Sequence, residues 1–240
     1  MTEKKQMSEI KEIWTQRATT YDEGVNNFLI YHRSHEAICD LLYQTKPMSI
    51  LDVGSGTGTL AQKILQRIPQ SSITCLDFSN EMMEECKHKL ASFGSRVVFI
   101  CEDIQKWLPT RQYDAIVTCN TFIYKGLNIA NCYVKYAGAL KPGGYFLNST
   151  IIQCATPSFL ETSVKKLTMS PDGKPQSQKE LEATQGYARK ISHAGKDSLL
   201  NIFQVEEHIK LMQNAGLQAA CVWQYLFQTV ILGINQPAKK

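Results

Sequence analysis

What this sequence has little of narrows it first. No apolar run approaches the roughly 20 residues of a membrane-spanning helix. The opening residues, "MTEKKQMSEIKEIW", alternate charges and lack the apolar segment of a secretory leader, so a cytoplasmic protein is expected. The net charge is only +4, with lysine and arginine scattered, which argues against the dense basic face of a nucleic-acid binder. No internal repeat or low-complexity tract is present. Cysteine is not scarce: there are eight, but none stands in a CxxC or CxxH pair, the tight spacing that zinc sites use. Several of them (Cys75, Cys101, Cys119, Cys221) sit in apolar, strand-like runs and read as buried free thiols of a reducing compartment. No metal site is expected.

What is there suits one α/β domain with a cover. The chain has 240 residues, 43% of them hydrophobic and 20% charged. Residues 3–22 and 26–45 have helical patterning, the second with Ile30, Tyr31, Ala37, Ile38, Leu41 and Leu42 on one face, and Pro47 ends it. Strands and helices then alternate. Strands are expected at 48–53, 72–78, 96–103, 113–120 and 145–152, with helices at 59–68, 80–94 and about 127–140, and a "KPGG" turn at 141–144. This rhythm implies βαβ units and a parallel sheet covered on both faces. It breaks at 153–204, too long for a plain loop, which reads as an inserted, partly helical lid. A helix at 204–216 and two antiparallel strands within 217–234 close the core. The expected organisation is thus a helical cap (1–46), a ligand-binding core (47–152), a lid (153–204) and completion of the core (205–240).

The most informative stretch is "ILDVGSGTGTLAQKIL", residues 50–65. A strand entering a helix through Gly54, Gly56 and Gly58 brings backbone close to a ligand, because glycine permits positive φ and has no Cβ to collide. The ligand would sit near the N–H groups that open the helix. By itself such a turn could serve a dinucleotide, a nucleoside or nothing but a tight turn. The G-x-G-x-x-G spacing of dinucleotide sites is absent, and no lysine–hydroxyl pair follows to make a P-loop. Asp52, just ahead of the turn, suits a cationic ligand group such as an ammonium better than a pyrophosphate.

In this context "LDVGSGTG" resembles motif I of the class I S-adenosylmethionine-dependent methyltransferases. Further landmarks follow in order. "LDFSNEMMEECK" is similar to the acid at the end of the second strand and the helix start after it. "CEDIQKW" resembles the acidic–apolar pair after the third strand. "YDAIVTCNTFIY" resembles motif IV, and "LKPGGYFLNST" the turn and fifth strand beyond it. "IWTQRATTYD" resembles the entry segment of many small-molecule members, of the quinone-biosynthesis and natural-product kind. The likeness covers residues 13–152. It implies a Rossmann-like, doubly wound, seven-stranded sheet, mostly parallel with an antiparallel C-terminal strand, helices on both faces, the N-terminal cap and the lid after strand 5.

The resemblance also implies roles. S-adenosylmethionine would be the cofactor and S-adenosylhomocysteine the product. Gly54, Ser55, Gly56 and Gly58 would cradle its methionine part and sugar, with Asp52 ordering that loop and helping to hold the ammonium. Asp77 would accept both ribose hydroxyls, Phe78 and Met82 would flank the adenine, and Asp103 would accept from the adenine amino group while Ile104 offers its N–H. Cys119 and Asn120 would line the amino-acid end, and Tyr21 would close over it from the cap. Methyl transfer from a sulfonium needs alignment above all, so motif spacing names no catalytic residue. Tyr124 and His193 are the candidates, with His35 a further possible base. The acceptor is expected to be a small molecule, methylated on oxygen, nitrogen or carbon. The Asn/Asp-Pro-Pro-aromatic motif of base-modifying members is missing after strand 4, so nucleic acid is disfavoured. The rival readings are a tRNA or protein methyltransferase with the same core, and a catalytically silent cofactor-binding or partner protein. The chain is expected to be a monomer or homodimer.

Overall fold

The computed structural model describes residues 3–26, 28–153, 177–192 and 199–236. The strand Ser49–Val53 (β1) is apolar on both sides and buried at four of its five residues, as a central parallel strand must be. Parallel to it run Ser72–Asp77 (β2), Val97–Cys101 (β3), Tyr113–Cys119 (β4) and Leu140–Ile151 (β5). The last strand, Gln228–Ile234 (β7), is antiparallel to both β5 and Gln218–Tyr225 (β6). The sheet order is β3-β2-β1-β4-β5-β7-β6. The chain therefore winds one way from β1 to β3 and the other way from β4 onward. The crevice of such a sheet opens where the direction reverses, at the carboxyl ends of β1 and β4.

Helices cover both faces, and the alternation of side chains along each strand feeds two separate cores. Ile50, Ala115 and Val117 face the side covered by Leu29–Thr45 (α3), Thr59–Arg67 (α4) and Asn80–Leu90 (α5), where they meet Ile38, Leu42, Leu60 and Ile64. Leu51, Val53 and Ile116 face Ile129–Ala137 (α6) and Val205–Asn214, packing with Tyr133, Tyr136, Phe146 and Met212. The cap consists of Glu3–Arg17 (α1), the 3-10 turn Ala18–Thr20 and Tyr21–Asn26 (α2). A third cluster, including Phe28, Tyr31, Ile123, Ile151 and Phe227, ties the end of the cap and the start of α3 to the carboxyl edge of the sheet. Within the insertion after β5, Gln178–Ser192 (α7) is helical, and Val205–Asn214 follows as α8. Residues 154–176 and 193–198 of the expected lid lie outside the described residues. No helix among the described residues is long and apolar enough to cross a membrane.

Local signals account for most boundaries. Ser79 caps α5 by accepting from the Met82 N–H at 3.2 Å. Lys46 turns left-handed at φ 48° to end α3 directly before Pro47. Two expectations shift. The helix expected over 80–94 stops at Leu90 and gives way to a 3-10 segment, Ala91–Arg96, in which Gly94 takes φ 56°. The "KPGG" turn is not outside a strand but a bulge within β5, where the register with β4 slips between Tyr113 and Ala115.

Asp114 locks that irregular edge at the end of the sheet remote from the crevice. Its carboxylate accepts from the Ser49 N–H (2.8 Å) and hydroxyl (2.7 Å) and pairs with Lys141 of the bulge at 2.8 Å. Partial burial opposes its ionisation, but the hydrogen bonds from Lys141 and Ser49 outweigh that and hold it below the usual carboxylate range. Asp114→Ala is expected to lower the unfolding free energy by about 1–3 kcal/mol, seen as a lower urea midpoint at unchanged m, with Asp114→Asn losing less.

Candidate functional site

The loop after β1 is folded back over the end of β2. The N–H groups of Gly54 (2.7 Å) and Ser55 (3.1 Å) both donate to the Leu76 carbonyl, and the Gly56 N–H donates to Asp77 at 2.9 Å. Gly54, Gly56 and Gly58 all have positive φ, at 73°, 53° and 79°. Their lack of a Cβ serves different ends. At Gly54 a Cβ would overlap the Thr121 side chain, and at Gly58 it would stand 2.6 Å from the Cys86 sulfur. The close approach expected between these two glycines and a ligand is therefore an approach to the protein's own β4 loop and α5. Only Gly56 faces open space, with nothing within 4 Å of where a Cβ would lie.

Above this loop lies a cavity of about 470 Å³, within the size range of small-molecule sites. Its floor comes from the strand ends: Gly54 and Gly56 after β1, Asp77 and Phe78 after β2, Asp103 and Ile104 after β3, and Cys119, Asn120 and Thr121 after β4. Met82 enters from the first turn of α5. Its roof is the cap, through Ile10, Trp14, Arg17, Tyr21 and Val25, while Tyr124 closes the far side. Trp14 meets Tyr21 edge-on at 5.5 Å and Tyr124 at 6.0 Å, so the cap and the β4 loop join through three rings. Tyr124 also bridges to Leu200 near the end of the insertion.

Eleven of the residues singled out from the sequence thus share one cavity: Tyr21, Gly54, Gly56, Asp77, Phe78, Met82, Asp103, Ile104, Cys119, Asn120 and Tyr124. Asp52, Ser55 and Gly58 are not among its lining residues; Asp52 and Ser55 are buried behind the loop. His193 lies outside the described residues. His35 is fully buried in α3 against Tyr31, whose ring is 4.1 Å away, and it does not line the cavity. His208 is likewise a core residue, accepting or donating at 2.9 Å with the Tyr133 hydroxyl.

Polar geometry distinguishes the two acidic floor residues. Asp77 is 7% exposed, and burial pushes its carboxyl above the ordinary value, while the Ser79 and Gly56 N–H groups restrain the shift. Asp103 accepts from the Gln105 N–H at 2.9 Å and has Lys11 of the cap 3.6 Å away. That lysine also stands over the Phe78 ring at 5.5 Å. Asn120 is one of three non-glycine residues with positive φ (52°) among those described; its side chain accepts from Gln228 at 3.0 Å and its N–H donates to Ser149. Asparagine tolerates that conformation better than most residues. Burial drives the Cys119 thiol up to about 12, so it remains protonated. Among the described residues, no group of three or more His, Cys, Asp or Glu is placed to hold a metal ion.

Sequence reasoning missed four contributors. Trp14 and Arg17 were visible only as part of the entry segment. Asp22 and Lys89 join at 2.6 Å beside the glycine loop although 67 residues apart, and no local spacing signals that pairing.

Residues 50–144 match the family model described as a methyltransferase domain. That stretch is similar to a methyltransferase domain. Malonyl-[acyl-carrier protein] O-methyltransferase 2 of Ilyobacter polytropus is 36% identical over 138 residues, which is 55% of this chain and 50% of that protein. Malonyl-[acyl-carrier protein] O-methyltransferase of Priestia megaterium is 32% identical over 143 residues, 59% of this chain and 50% of that protein. The chain thus spans about half the length of these curated relatives. The solved structure of DhpI with SAH superimposes with a TM-score of 0.65 over 94% of this chain and 95% of that one, at 16% identity, a likeness of fold. The matched stretch runs from β1 through β4, whose carboxyl ends floor the cavity.

At the glycine loop, Asp52 Oδ2 and Ser55 Oγ are buried without hydrogen-bond partners. Burial, and then the neighbouring Asp77 charge, raise the Asp52 carboxyl to about 8. Because this lies above the unfolded value of about 4, the stability Asp52 contributes is complete below that pH and is lost as pH rises through about 8. Urea midpoints measured across that window should fall with pH in the wild type. They should fall less steeply in Asp52→Asn; equal slopes would remove the assignment.

Proposed function

We propose that this chain is an S-adenosylmethionine-dependent methyltransferase acting on a small acidic acceptor. The observation that carries the cofactor assignment is Asp77. Two backbone N–H groups already fix its carboxylate at the cavity floor, one on each oxygen. A carboxylate has about four lone-pair sites, so two remain for a vicinal diol such as a ribose. The other residues fit the same ligand. Phe78 and Met82 offer apolar surface for a base, Asp103 an acceptor for its amino group, and Ile104 a backbone donor. Tyr21, Cys119 and Asn120 line the remaining length. Gly56 keeps open the volume beside them, and the unpaired oxygens of Asp52 and Ser55 suit a cationic amino-acid end, whose arrival would favour ionisation of Asp52.

When bound, the cofactor supplies a methyl group on a sulfonium, already activated toward displacement by a nucleophile. The protein's part is to align and to exclude water. Trp14, Tyr21 and Tyr124 form the apolar side of the chamber. No histidine stands among the described lining residues, and Cys119 stays a thiol. An acceptor that is already ionised at neutral pH needs no base. A carboxylate meets that condition, and Arg17 is the one cation among the described residues lining the cavity. The relatives named as malonyl-[acyl-carrier protein] O-methyltransferases support a carboxylate oxygen as the acceptor atom. The seven cysteines among the described residues, all free, support a cytoplasmic setting.

Asp77→Ala is expected to weaken S-adenosylhomocysteine binding at least tenfold in calorimetry, about 1.4 kcal/mol; unchanged affinity in a folded variant removes the ribose role. Supplied with labelled cofactor, the enzyme should methylate malonyl thioester but not its monomethyl ester. Arg17→Gln should raise the acceptor KM about tenfold or more, the scale of a lost charged hydrogen bond, while S-adenosylhomocysteine affinity changes little. Label found only in precipitable RNA or protein would overturn the small-acceptor reading. Tight cofactor binding without any transfer would mark a silent binding protein.

A further inference from the structure

Three of the polar points that fasten the cap to the core, among the described residues, are unequal. Thr15 donates to Glu81 at an exposed position, and Lys11 lies 3.6 Å from Asp103 with its own side chain 43% exposed. Exposed pairs of this kind contribute little. The third point is different. Asp22 of α2 pairs with Lys89 of α5 at 2.6 Å, with side chains 37% and 17% exposed, and what sets it apart is the network around it. The other Asp22 oxygen accepts from the Thr57 hydroxyl at 2.7 Å and from Thr59 at 3.3 Å. Lys89 in turn donates to both threonine hydroxyls, at 3.0 and 2.7 Å. Burial opposes ionisation of Asp22, but the bonds from Lys89 and Thr57 outweigh it and keep its carboxyl below the ordinary range.

The location matters more than the number of bonds. Thr57 stands between Gly56 and Gly58, in the loop whose N–H groups grip Asp77 and the end of β2. Glycine gives that loop its turn but leaves it little stiffness of its own. A side chain of the cap therefore reaches past the cavity roof and holds the loop that makes the floor.

We propose that Asp22 and Lys89 are positioning residues that lock the cap and the glycine loop together, so that the cap cannot lift without releasing the loop. The pair then sets how fast the cofactor and its demethylated product enter and leave. This rests on the proposed function for the identity of the ligand, but the cap–loop coupling stands on the contacts alone.

Two measurements test it. Release of S-adenosylhomocysteine, followed by displacement in stopped flow, should be at least fivefold faster in Asp22→Asn and in Lys89→Met than in wild type. The double variant should be no faster than the faster single one, because both remove one coupled unit. In the unliganded protein, amide exchange should rise together in residues 3–26 and 54–59 of each variant, while the strands keep their protection. Release rates within twofold of wild type, additive effects in the double variant, or exchange rising in the cap but not in the loop would each overturn the lock. If wild-type protein fails to bind S-adenosylhomocysteine, the proposed function falls, and the exchange experiment still decides the coupling.

Discussion

The site is built on one fold-back. The chain leaves β1, turns through three glycines, and sets two successive N–H groups on the carbonyl of Leu76 and a third on Asp77. This places the end of β2 and the loop after β1 side by side at the point where the winding of the sheet reverses. Every other wall is measured from there. Thr121 of the β4 loop packs into the space that Gly54 leaves and donates to the Val53 carbonyl at 3.2 Å. Cys86 of α5 packs into the space left at Gly58. A larger residue at either place would push apart elements that the cavity needs adjacent.

Charge is distributed to match. The floor carries the acids Asp77 and Asp103 at strand ends, while the buried Asp52 carboxyl, raised to about 8, stays largely protonated at neutral pH. The cap supplies cations from above: Lys11 near Asp103, and Arg17 in the lining. At the loop the arrangement is reversed, with the acid in the cap and the lysine in the core. Opposite charges on the two sides thus add to the apolar and ring contacts that hold the cover down.

Much of this architecture was legible before any coordinates. Strand boundaries fell within a few residues because parallel strands buried on both faces leave continuous apolar runs such as "AIVT"; "VVFI" reads the same way, yet β3 is the edge strand and leaves Val98 exposed. The acid positions at strand ends were readable because the motifs occur in register. Legibility failed where a contact is long-range or a turn is absorbed by pairing. "KPGG" has turn composition, yet Lys141 to Asp114 and Asn235 to the Leu140 carbonyl hold it within the β5 ladder as a bulge. His35, a possible base from its sequence, is buried completely by tertiary packing, as is His208. The glycine loop was located correctly, while its reason was only partly seen, since a sequence cannot reveal that Thr121 and Cys86 are what would collide.

Local chemistry thus determined the alternation of strands and helices, the turn at residues 54–58, and the acids at the carboxyl ends of the strands, because each of these depends on neighbours within a few residues. Tertiary structure decided which of those residues face a common cavity, which stay behind its wall, and how the cap is fastened. Those outcomes depend on the order of strands in the sheet, which brings Asp22, Thr57 and Lys89 within hydrogen-bonding distance, and no spacing along the chain encodes that distance.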